Sequence, residues 1–525
     1  MSRPPRTGTL VPPAGWAADN GGASPGLTGR FLLLATLLGA ALRVYDLAGP
    51  SLWADEMLTW LAIRPGVPAG FLEQIMDAIQ GPLYLAVTWP LLRLADGAFM
   101  LRLPPALAGI ATIPLFGAAV NRLLGGRAAR LAVLLLAVNP FHVWYSQEGR
   151  GYSFLMLFAV LMALALLALM HRKSSYGAAL LFALATAGAV WSNLGGMFLW
   201  AGMGLGVLLF QRPSGRREWG ACMLAFGAGL VLVAPWLLKA AGIWAIDRVV
   251  PGSGTGEALR GETTFSWLAL PYTLQAFFYG FSLGPSLREL HQPDRIAALR
   301  PYLPLLLTGA LPVALGLTAG VFRRDRKYGL LLVWILVPMA ILTVLAVRNV
   351  KPWNPRYVAM AFPWVVAVAA GGLTSLPRRV GLPAALLLTG LTLWSLGGYY
   401  WDGRYAKADV RAAAAHLEGI NTAGAPILVP VVASVFDYYY RGPGEVIPAW
   451  GVPVMRNAGD AAAFCDRILA GRPVCWVVLA REWYLDPEGL LPVALSRRGH
   501  LRLVMSAPGV RVYAWESKDN GRDPS

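Results

Sequence analysis

Long apolar segments recur along the first four-fifths of the chain and are separated by short polar loops. Because a transmembrane helix needs about 20 mostly apolar residues, this pattern predicts a bundle of membrane spans. The segments near that length are Phe31 to about Ala48, 103–121, 130–146, 152–170, 177–193, 196–210, 219–240, 301–321, 328–346, 357–376 and 381–399. Two shorter apolar stretches, 82–95 and 266–283, fit either a span or a segment that does not cross.

The basic residues decide how these spans are arranged. Clusters of Arg and Lys occupy the loops at 122–130, 171–173, 212–217, 323–327 and 378–379. All of these loops fall on one side of the membrane only if neither short stretch crosses. Cytoplasmic loops carry the excess of positive charge, so the pattern predicts a mostly α polytopic bundle of eleven spans, or thirteen if both short stretches cross. Its N-terminus is cytoplasmic and its C-terminus lies outside.

This topology divides the chain into three parts. Residues 1–29 are rich in Pro, Gly, Ser and Thr and predict a disordered cytoplasmic tail. Residues 30–400 form the membrane domain, with long outer loops at 49–101 and 241–300. Residues 401–525 alternate helical and strand patterns, which predicts an α/β domain outside the membrane. Its predicted elements are helices at Ala408–Leu417 and Asp460–Leu469, strands at Pro426–Val432 and Pro473–Leu479, and a hairpin at Leu501–Trp515.

The composition agrees with a membrane protein and indicates which binding partners to expect. The 525 residues are 56% apolar and 14% charged, whereas soluble domains carry about 25% charged residues. The net charge of +17 lies in short loops, so membrane lipids explain it and nucleic acid is not an expected partner. Among the three cysteines, Cys465 and Cys475 lie close together in the outer domain. The sequence leaves open a disulfide between them or two buried thiols.

Acidic residues follow the first span and occupy a second outer loop. Asp55 and Glu56 come directly after the first span among aromatic and apolar residues, and Glu148 lies beside Arg150 between two apolar segments. Ionisable groups near a membrane surface are costly and usually functional. A carboxylate there acts as a general base or binds a metal ion. The alternatives are an exposed loop pair for Asp55 and Glu56, and a local ion pair for Glu148.

Cations on the outer side break the charge pattern of the other short loops. Arg348, Lys351 and Arg356 lie in the loop before the tenth span. This arrangement suits a phosphate group, with lipid headgroups as the alternative ligand. Arg102, at the start of the second span, is a similar candidate, whereas Arg43 within the first span is interpreted as a snorkelling residue.

The order of these features resembles the GT-C glycosyltransferases, and within them the protein O-mannosyltransferase-like branch (glycosyltransferase 39-like). That branch includes bacterial aminoarabinose transferases. The acidic pair after the first span resembles the Asp-Glu motif of this superfamily. Further stretches resemble family motifs in the same order, namely Gln80-Gly81-Pro82-Leu83-Tyr84, Leu101-Arg102-Leu103-Pro104-Pro105-Ala106-Leu107, Ser146 to Tyr152, Pro355-Arg356-Tyr357 and Lys407-Ala408-Asp409-Val410-Arg411. Met57, Gln80-Gly81 and Ser192-Asn193 depart from the family pattern.

The resemblance implies a substrate and a place of reaction. The donor is a sugar on a polyprenyl monophosphate such as undecaprenyl phosphate. The acceptor is an extracytoplasmic glycan, lipid or protein at the bacterial inner membrane, and transfer inverts the anomeric carbon. A transporter or flippase for lipid-linked saccharides, a membrane-anchored assembly protein and an inactive transferase remain as alternatives.

The resemblance also gives the residues expected roles. Asp55 is the catalytic base, and Glu56 and Glu148 orient the acceptor or hold a divalent cation. Arg102, Arg348, Lys351 and Arg356 bind the donor phosphate. The residues expected to contact substrate are Trp53, Tyr84, Arg150, Tyr152 and Tyr357, with an interfacial aromatic belt as the alternative for the aromatic ones.

Overall fold

The computed structural model describes residues 27–68, 70–77, 81–171, 176–211, 213, 215–241, 265–291, 294–449 and 454–518. Residues 1–26 of the predicted tail 1–29, Gln80, and residues 242–264 and 292–293 of the outer loop 241–300 lie outside these residues. Helices account for the chain up to Trp401, and a region of mixed helices and strands follows.

Eighteen α-helices occur in the described part of the membrane domain, joined by two 3₁₀ segments at Arg300–Tyr302 and Pro355–Ala361. The helices are α1 Gly29–Val44, α2 Ala54–Ile63, α3 Phe71–Asp77, α4 Pro82–Leu94, α5 Ala98–Leu124, α6 Gly126–Val138, α7 Pro140–Ser146, α8 Tyr152–His171, α9 Tyr176–Ser192, α10 Gly196–Phe210, α11 Arg216–Ala241, α12 Ala269–Tyr279, α13 Leu287–Leu290, α14 Arg295–Leu299, α15 Leu303–Val321, α16 Arg326–Val347, α17 Phe362–Ser375 and α18 Arg378–Trp401.

All eleven predicted spans coincide with helices, which confirms the mostly α, polytopic class. Within the residues that the structure describes, seven helices are long and apolar enough to cross a membrane, and the bent pair α6–α7 makes an eighth. The helices α1, α9 and α10 have 16, 17 and 15 residues and fall short of that length. The structure thus supports seven to eight spans by length, against the eleven predicted from the sequence.

The two ambiguous apolar stretches form short helices. They are α4, with 13 residues, and α12, with 11. At 1.5 Å per residue these helices extend about 20 and 17 Å, less than the hydrocarbon thickness of about 30 Å. Their lengths agree with the prediction that neither stretch crosses.

The break between α6 and α7 explains a buried arginine. The two helices bend by 53° at Asn139, and Pro140 has no N–H to donate to the carbonyl of Leu136. Arg43 supplies the missing donor, with Nη2 3.1 Å from that carbonyl and Nη1 2.9 Å from the carbonyl of Ala137. Its Nη2 also lies 2.6 Å from His142 Nδ1. Arg43 is fully buried, so its interpretation as a snorkelling residue is wrong.

The C-terminal region is built on a five-stranded sheet. Its strands are β1 Ile427–Val429, β2 Val446–Pro448, β3 Val474–Ala480, β4 Gly499–Ala507 and β5 Val510–Ser517, in the order β2-β1-β3-β5-β4. The first three are parallel, and β5 pairs antiparallel with both β3 and β4. Around the sheet pack α19 Val410–Ile420, α20 Ala433–Tyr439, α21 Ala458–Leu469 and α22 Leu490–Arg498, together with a 3₁₀ turn at Glu482–Tyr484. The two predicted helices begin within two residues of the starts of α19 and α21. The predicted strands and the predicted hairpin overlap β1, β3 and the β4–β5 pair.

The C-terminal region contacts the beginning of the first outer loop. Asp409 caps α19 by accepting from the Ala412 N–H, and the same oxygen accepts from the Ser51 hydroxyl at 3.0 Å. The Tyr439 hydroxyl accepts from the Leu52 N–H at 2.9 Å. The sheet region is therefore fixed to the chain segment that leads into Asp55.

The three cysteines are free and buried. Burial raises the pKa of Cys465 to about 11 and that of Cys475 to about 12. Of the two alternatives for this pair, the structure shows the buried thiols.

Candidate active site

Helix α2 positions the two adjacent carboxylates in different environments. Neighbouring residues on a helix point about 100° apart. The Asp55 side chain consequently keeps 21% of its surface exposed, whereas Glu56 is fully buried. Both lie in the first turn of the helix, where the helix dipole favours negative charge.

Glu56 and Arg102 form a buried, two-pronged ion pair. Nε and Nη2 of Arg102 donate to the two Glu56 oxygens at 2.8 and 2.7 Å. The other donors of Arg102 bind the carbonyls of Leu47, Pro50 and Ser51 at 2.9–3.0 Å. A guanidinium has five N–H donors, and all five are used here. Arg102 therefore has no donor left for a donor phosphate in this structure.

Glu56 is held by further contacts on both sides. Its oxygens accept from the N–H groups of Trp53 and Gly149 at 3.1 and 2.7 Å, and Lys407 Nζ lies 3.9 Å away. Burial raises the pKa of Glu56, but the charges of Arg102 and Lys407 outweigh it and hold the pKa at about 2. Glu56 is thus an ionised group that joins the first and second outer loops.

Asp55 forms an ion pair with Arg356, which is 301 residues away in the sequence. Arg356 Nη1 lies 2.6 Å from Asp55 Oδ2, and Arg150 Nη1 donates to the Asp55 carbonyl at 3.0 Å. Burial raises the pKa of Asp55, but the charges of Arg356 and Arg150 outweigh it and lower the pKa to about 2. An outer-loop carboxylate and a phosphate-binding candidate therefore meet in one site.

Arg356 lies between tyrosine rings. Its guanidinium carbon is 5.8 Å from the Tyr152 ring centre and 5.2 Å from that of Tyr357, and Lys351 Nζ is 4.5 Å from the Tyr357 ring. Arg356 Nε is buried and has no hydrogen-bond partner among the residues that the structure describes. The arrangement leaves Arg356 with capacity for one more acceptor.

Glu148 is buried close to the same charges. One of its oxygens accepts from Trp144 Nε1 at 3.2 Å, while Oε1 has no hydrogen-bond partner in the described part of the chain. Burial raises the pKa of Glu148, and the charges of Lys407 and Arg356 offset that only in part. Glu148 therefore differs from Asp55 and Glu56, because its pKa is raised whereas theirs are lowered.

Two cations of the site were not among the predicted residues. Lys407 is buried against Glu56 and lies 5.8 Å from the Trp53 ring. Arg481 follows β3, and its guanidinium carbon lies 3.9 Å from the Trp53 ring centre. Lys407 is the first residue of a stretch that resembles a family motif, so the sequence contains a signal from which its place in the site could have been predicted. Arg481 carries no motif, because only the docking of the C-terminal region brings it to the site.

Three further residues predicted for the site form no hydrogen bond or ion pair with Asp55 or Arg356 in the described part of the chain. Tyr84 is buried and donates to the Leu101 carbonyl at 2.8 Å. Arg348 is exposed at the end of α16. Trp53 packs edge-on against Trp144, with ring centres 5.9 Å apart. Of these three, Trp53 lines the large cavity described below.

Among the residues that the structure describes, no group of three or more His, Cys, Asp or Glu side chains is arranged to hold a metal ion. The sequence leaves open whether the site holds a divalent cation, and the described residues provide no ligand set for one.

Comparison with known proteins gives a partial sequence match. Residues 80–238 match the family model described as dolichyl-phosphate-mannose-protein mannosyltransferase. These residues include Arg102, Glu148 and Tyr152 of the site. A search of curated proteins finds no match.

Comparison with solved structures gives matches over nearly the whole chain. The apo crystal structure of ArnT from Cupriavidus metallidurans has a TM-score of 0.54 and 14% identity, covering 92% of this chain and 98% of ArnT. The same protein bound to undecaprenyl phosphate has a TM-score of 0.55 and 13% identity, covering 92% and 97%. The oligosaccharyltransferase AglB from Archaeoglobus fulgidus, in complex with an inhibitory peptide and a dolichol-phosphate, has a TM-score of 0.52 and 12% identity, covering 94% and 75%.

These identities are low, so the structural matches establish the fold. That fold, the apolar helices and the motifs in their expected order agree with the partial family match. The chain is therefore a multi-pass membrane protein that shares its fold with ArnT and AglB, and its residues 80–238 match the dolichyl-phosphate-mannose-protein mannosyltransferase family model.

Proposed function

We propose that this protein transfers a sugar from a polyprenyl-phosphate donor to an acceptor outside the cytoplasm. The observation that carries the proposal is the contact between Asp55 and Arg356. It places a carboxylate that accepts a proton next to a cation that stabilises a leaving phosphate, and these are the two groups that the reaction requires.

The solved relatives support the donor class. ArnT has been crystallised with undecaprenyl phosphate, and AglB with a dolichol-phosphate. The basic loops support a topology in which the site faces away from the cytoplasm. The bacterial inner membrane, with the C-terminal region outside, is the location that fits such a donor.

The ion pair gives the reaction an order of events. At a pKa of about 2, Asp55 is ionised at neutral pH, but its charge is engaged by Arg356. A donor phosphate that enters the site competes with Asp55 for this arginine. Binding of the donor therefore frees the carboxylate and raises its basicity, so that Asp55 activates the acceptor only when the sugar is in place.

The chemical step is a single displacement. The acceptor hydroxyl loses its proton to Asp55, and its oxygen forms a bond to the anomeric carbon. The bond from that carbon to the phosphate oxygen breaks, and polyprenyl phosphate leaves with both bonding electrons. Arg356, with Lys351 beside Tyr357, stabilises the charge on the leaving phosphate. Attack opposite to the leaving group inverts the anomeric carbon.

The remaining predicted residues take supporting roles in this proposal. Arg150 fixes the Asp55 backbone, and Tyr152 and Tyr357 hold Arg356 between their rings. The buried Glu56–Arg102 ion pair holds the loop segment that leads into Asp55, and we call this pair the frame. We assign it no contact with substrate. Glu148, whose Oε1 has no hydrogen-bond partner among the described residues, orients the acceptor.

Replacing Arg356 by Gln is expected to lower kcat about 10²–10³-fold, since a well-placed charge donor contributes roughly 3–4 kcal/mol to the transition state. The loss of the positive charge also raises the pKa of Asp55. The acid limb of the pH–rate profile then moves to higher pH, because the carboxylate must be ionised to act. The profile of kcat against pH measures both effects. Arg378→Gln changes an exposed arginine at the start of α18. It serves as the control and is expected to leave kcat unchanged.

The proposal is tested by an assay on the purified full-length protein. A panel of radiolabelled polyprenyl-phosphate sugars is supplied with a crude envelope fraction, and transfer is followed for the wild type and for Asp55→Asn. Transfer by the wild type that is lost in the variant supports the proposal and identifies the donor sugar. No transfer from any donor, together with unchanged envelope glycans in an Asp55→Asn strain, would favour a transporter or assembly protein.

A further inference from the structure

A cavity of about 550 Å³ lies between the helical part of the chain and the C-terminal region. Trp53, Trp144 and Phe281 line it from the helical side, and Lys407, Arg481 and Trp483 from the other side. We call it the interdomain cavity. Because Trp53 is two residues from Asp55, the cavity opens beside the proposed base.

Arg481 has a backbone conformation that side chains rarely adopt. Its φ is +55°, in the left-handed region, where a residue other than Gly pays a steric cost. Such conformations persist where the surrounding structure requires them and are frequent at ligand sites. Here the conformation carries the guanidinium from the end of β3 onto the face of Trp53, at 3.9 Å from the ring centre.

Arg481 differs from the other arginines of the cavity in its pairing. Arg288 binds Glu482 at 3.0 Å and Arg404 binds Asp402 at 2.7 Å. Arg481 donates to the Tyr484 hydroxyl at 3.1 Å, and no ion pair joins it to a carboxylate within the described ranges. Burial lowers the pKa of Arg481, and Tyr484 and the charge of Asp55 offset that only in part. Four of its five N–H donors remain available to a ligand.

The aromatic lining is suited to a sugar. Three indole rings, those of Trp53, Trp144 and Trp483, face or border the interdomain cavity. Nε1 of Trp53 and of Trp483 are buried and have no hydrogen-bond partner among the residues described. Aromatic faces pack against the C–H faces of a sugar ring, and indole N–H groups donate to hydroxyl oxygens. A buried donor without a partner is costly, so a hydroxyl-rich ligand would offset that cost.

We propose that the interdomain cavity binds the acceptor, and that the acceptor is a saccharide carrying a phosphate or carboxylate group that Arg481 recognises. The inference rests on the proposed function, because it names the substrate for the second half of the same reaction. Lys407 adds a second positive charge at the cavity wall, although it also lies 3.9 Å from Glu56. The donor phosphate has a separate cation in Arg356, so the two anions do not compete for one residue.

Isothermal titration of the full-length protein in detergent tests this site without the donor. The probes are glucose 6-phosphate, glucuronate and glucose. We expect both anions to bind at least about tenfold more tightly than glucose, since a hydrogen bond to a charged group is among the stronger ones. Arg481→Gly should remove that preference. Glycine suits the left-handed backbone, so the variant should fold with an unchanged or higher Tm.

Two further variants separate this site from the donor site. Arg356→Gln should keep the preference for the anions, whereas Arg498→Gln, which removes a surface arginine paired with Asp466, should change nothing. Equal binding of glucose and the two anions would overturn the inference. So would a preference that is lost in Arg356→Gln and kept in Arg481→Gly, because the anion would then occupy the donor site.

The transfer assay distinguishes this inference from the proposed function. If the wild type transfers sugar and Arg481→Gly raises the KM for acceptor while leaving the KM for donor unchanged, both stand. If transfer occurs and both KM values are unchanged in the variant, the acceptor site is wrong and the proposed function stands. If no donor supports transfer by the wild type, the proposed function fails and the inference fails with it.

Discussion

Replacing Asp55 by Asn is expected to lower kcat for sugar transfer about 10²–10⁴-fold, the range in which general base catalysis contributes. Asparagine keeps the shape of the side chain and its hydrogen bond to Arg356 but cannot accept the acceptor's proton. The KM for the donor should fall, because Arg356 remains in place and the charge of Asp55 no longer competes with the donor phosphate for it. Initial rates with a single polyprenyl-phosphate sugar, at varied donor concentrations, measure both constants.

Two matched variants show whether this loss is specific. Lys351→Ala removes a charge beside Tyr357 and should cost far less activity than Asp55→Asn, because Arg356 stays. Asp466→Asn changes an exposed carboxylate that pairs with Arg498 in the C-terminal region and should leave kcat unchanged. Equal and small effects of Asp55→Asn and Lys351→Ala would contradict the role of Asp55 as the base.

The sequence predicts the helical bundle and the C-terminal sheet because both depend on local patterns. Apolar runs determine which segments form membrane helices, and alternating or buried runs determine the strands. Those signals held even for short elements, such as the three-residue strand β1. The length of an apolar segment is less informative about whether it crosses the membrane, since α9 and α10 are apolar helices shorter than a typical span.

The sequence indicates candidate residues for the site but not how they pair. The sequence indicates that Asp55 and Arg356 face the same side, and the structure brings them to 2.6 Å. It gives no means of telling that Arg102 turns toward Glu56 instead of a phosphate. In the sequence each arginine directly precedes a predicted span, 103–121 or 357–376, and the difference arises from the loop carbonyls that surround Arg102.

Contributions from the C-terminal region escape sequence analysis for a related reason. Arg481 is more than 400 residues from Asp55 and has no motif around it. Its position depends on a left-handed backbone at the end of β3 and on contacts such as that between Ser51 and Asp409. A local pattern carries information about an element, whereas the meeting of two elements depends on packing.

Replacing Arg102 by Met is expected to produce the largest loss of stability, about 3–5 kcal/mol, because it leaves Glu56 buried without its charge partner. The pKa of Glu56 gives an independent figure. It lies at about 2 in the folded protein and at about 4.3 in an unfolded chain, and this difference corresponds to roughly 3 kcal/mol. Because the folded pKa is the lower one, this stability is present above about pH 4.3 and is lost as the pH falls toward 2.

Thermal unfolding of the detergent-solubilised protein between pH 7 and pH 2 measures this effect. The wild type should lose Tm as the pH falls below about 4 toward 2. Arg102→Met should have a lower Tm at pH 7 and a weaker or reversed pH dependence, since without Arg102 burial raises the pKa of Glu56. Arg404→Met, which breaks the more exposed pair with Asp402, should change Tm little, as surface ion pairs contribute about 0–1 kcal/mol.

The same variant decides between the two roles of Arg102. As part of the frame, it holds the carbonyls of Leu47, Pro50 and Ser51, and its loss should displace the segment that carries Asp55. Activity should then fall together with Tm, and Glu56→Gln in the same protein should restore part of the Tm by removing the uncompensated charge. If activity falls while Tm and its pH dependence stay unchanged, Arg102 acts on the donor phosphate, and its pairing with Glu56 is not what stabilises the loop.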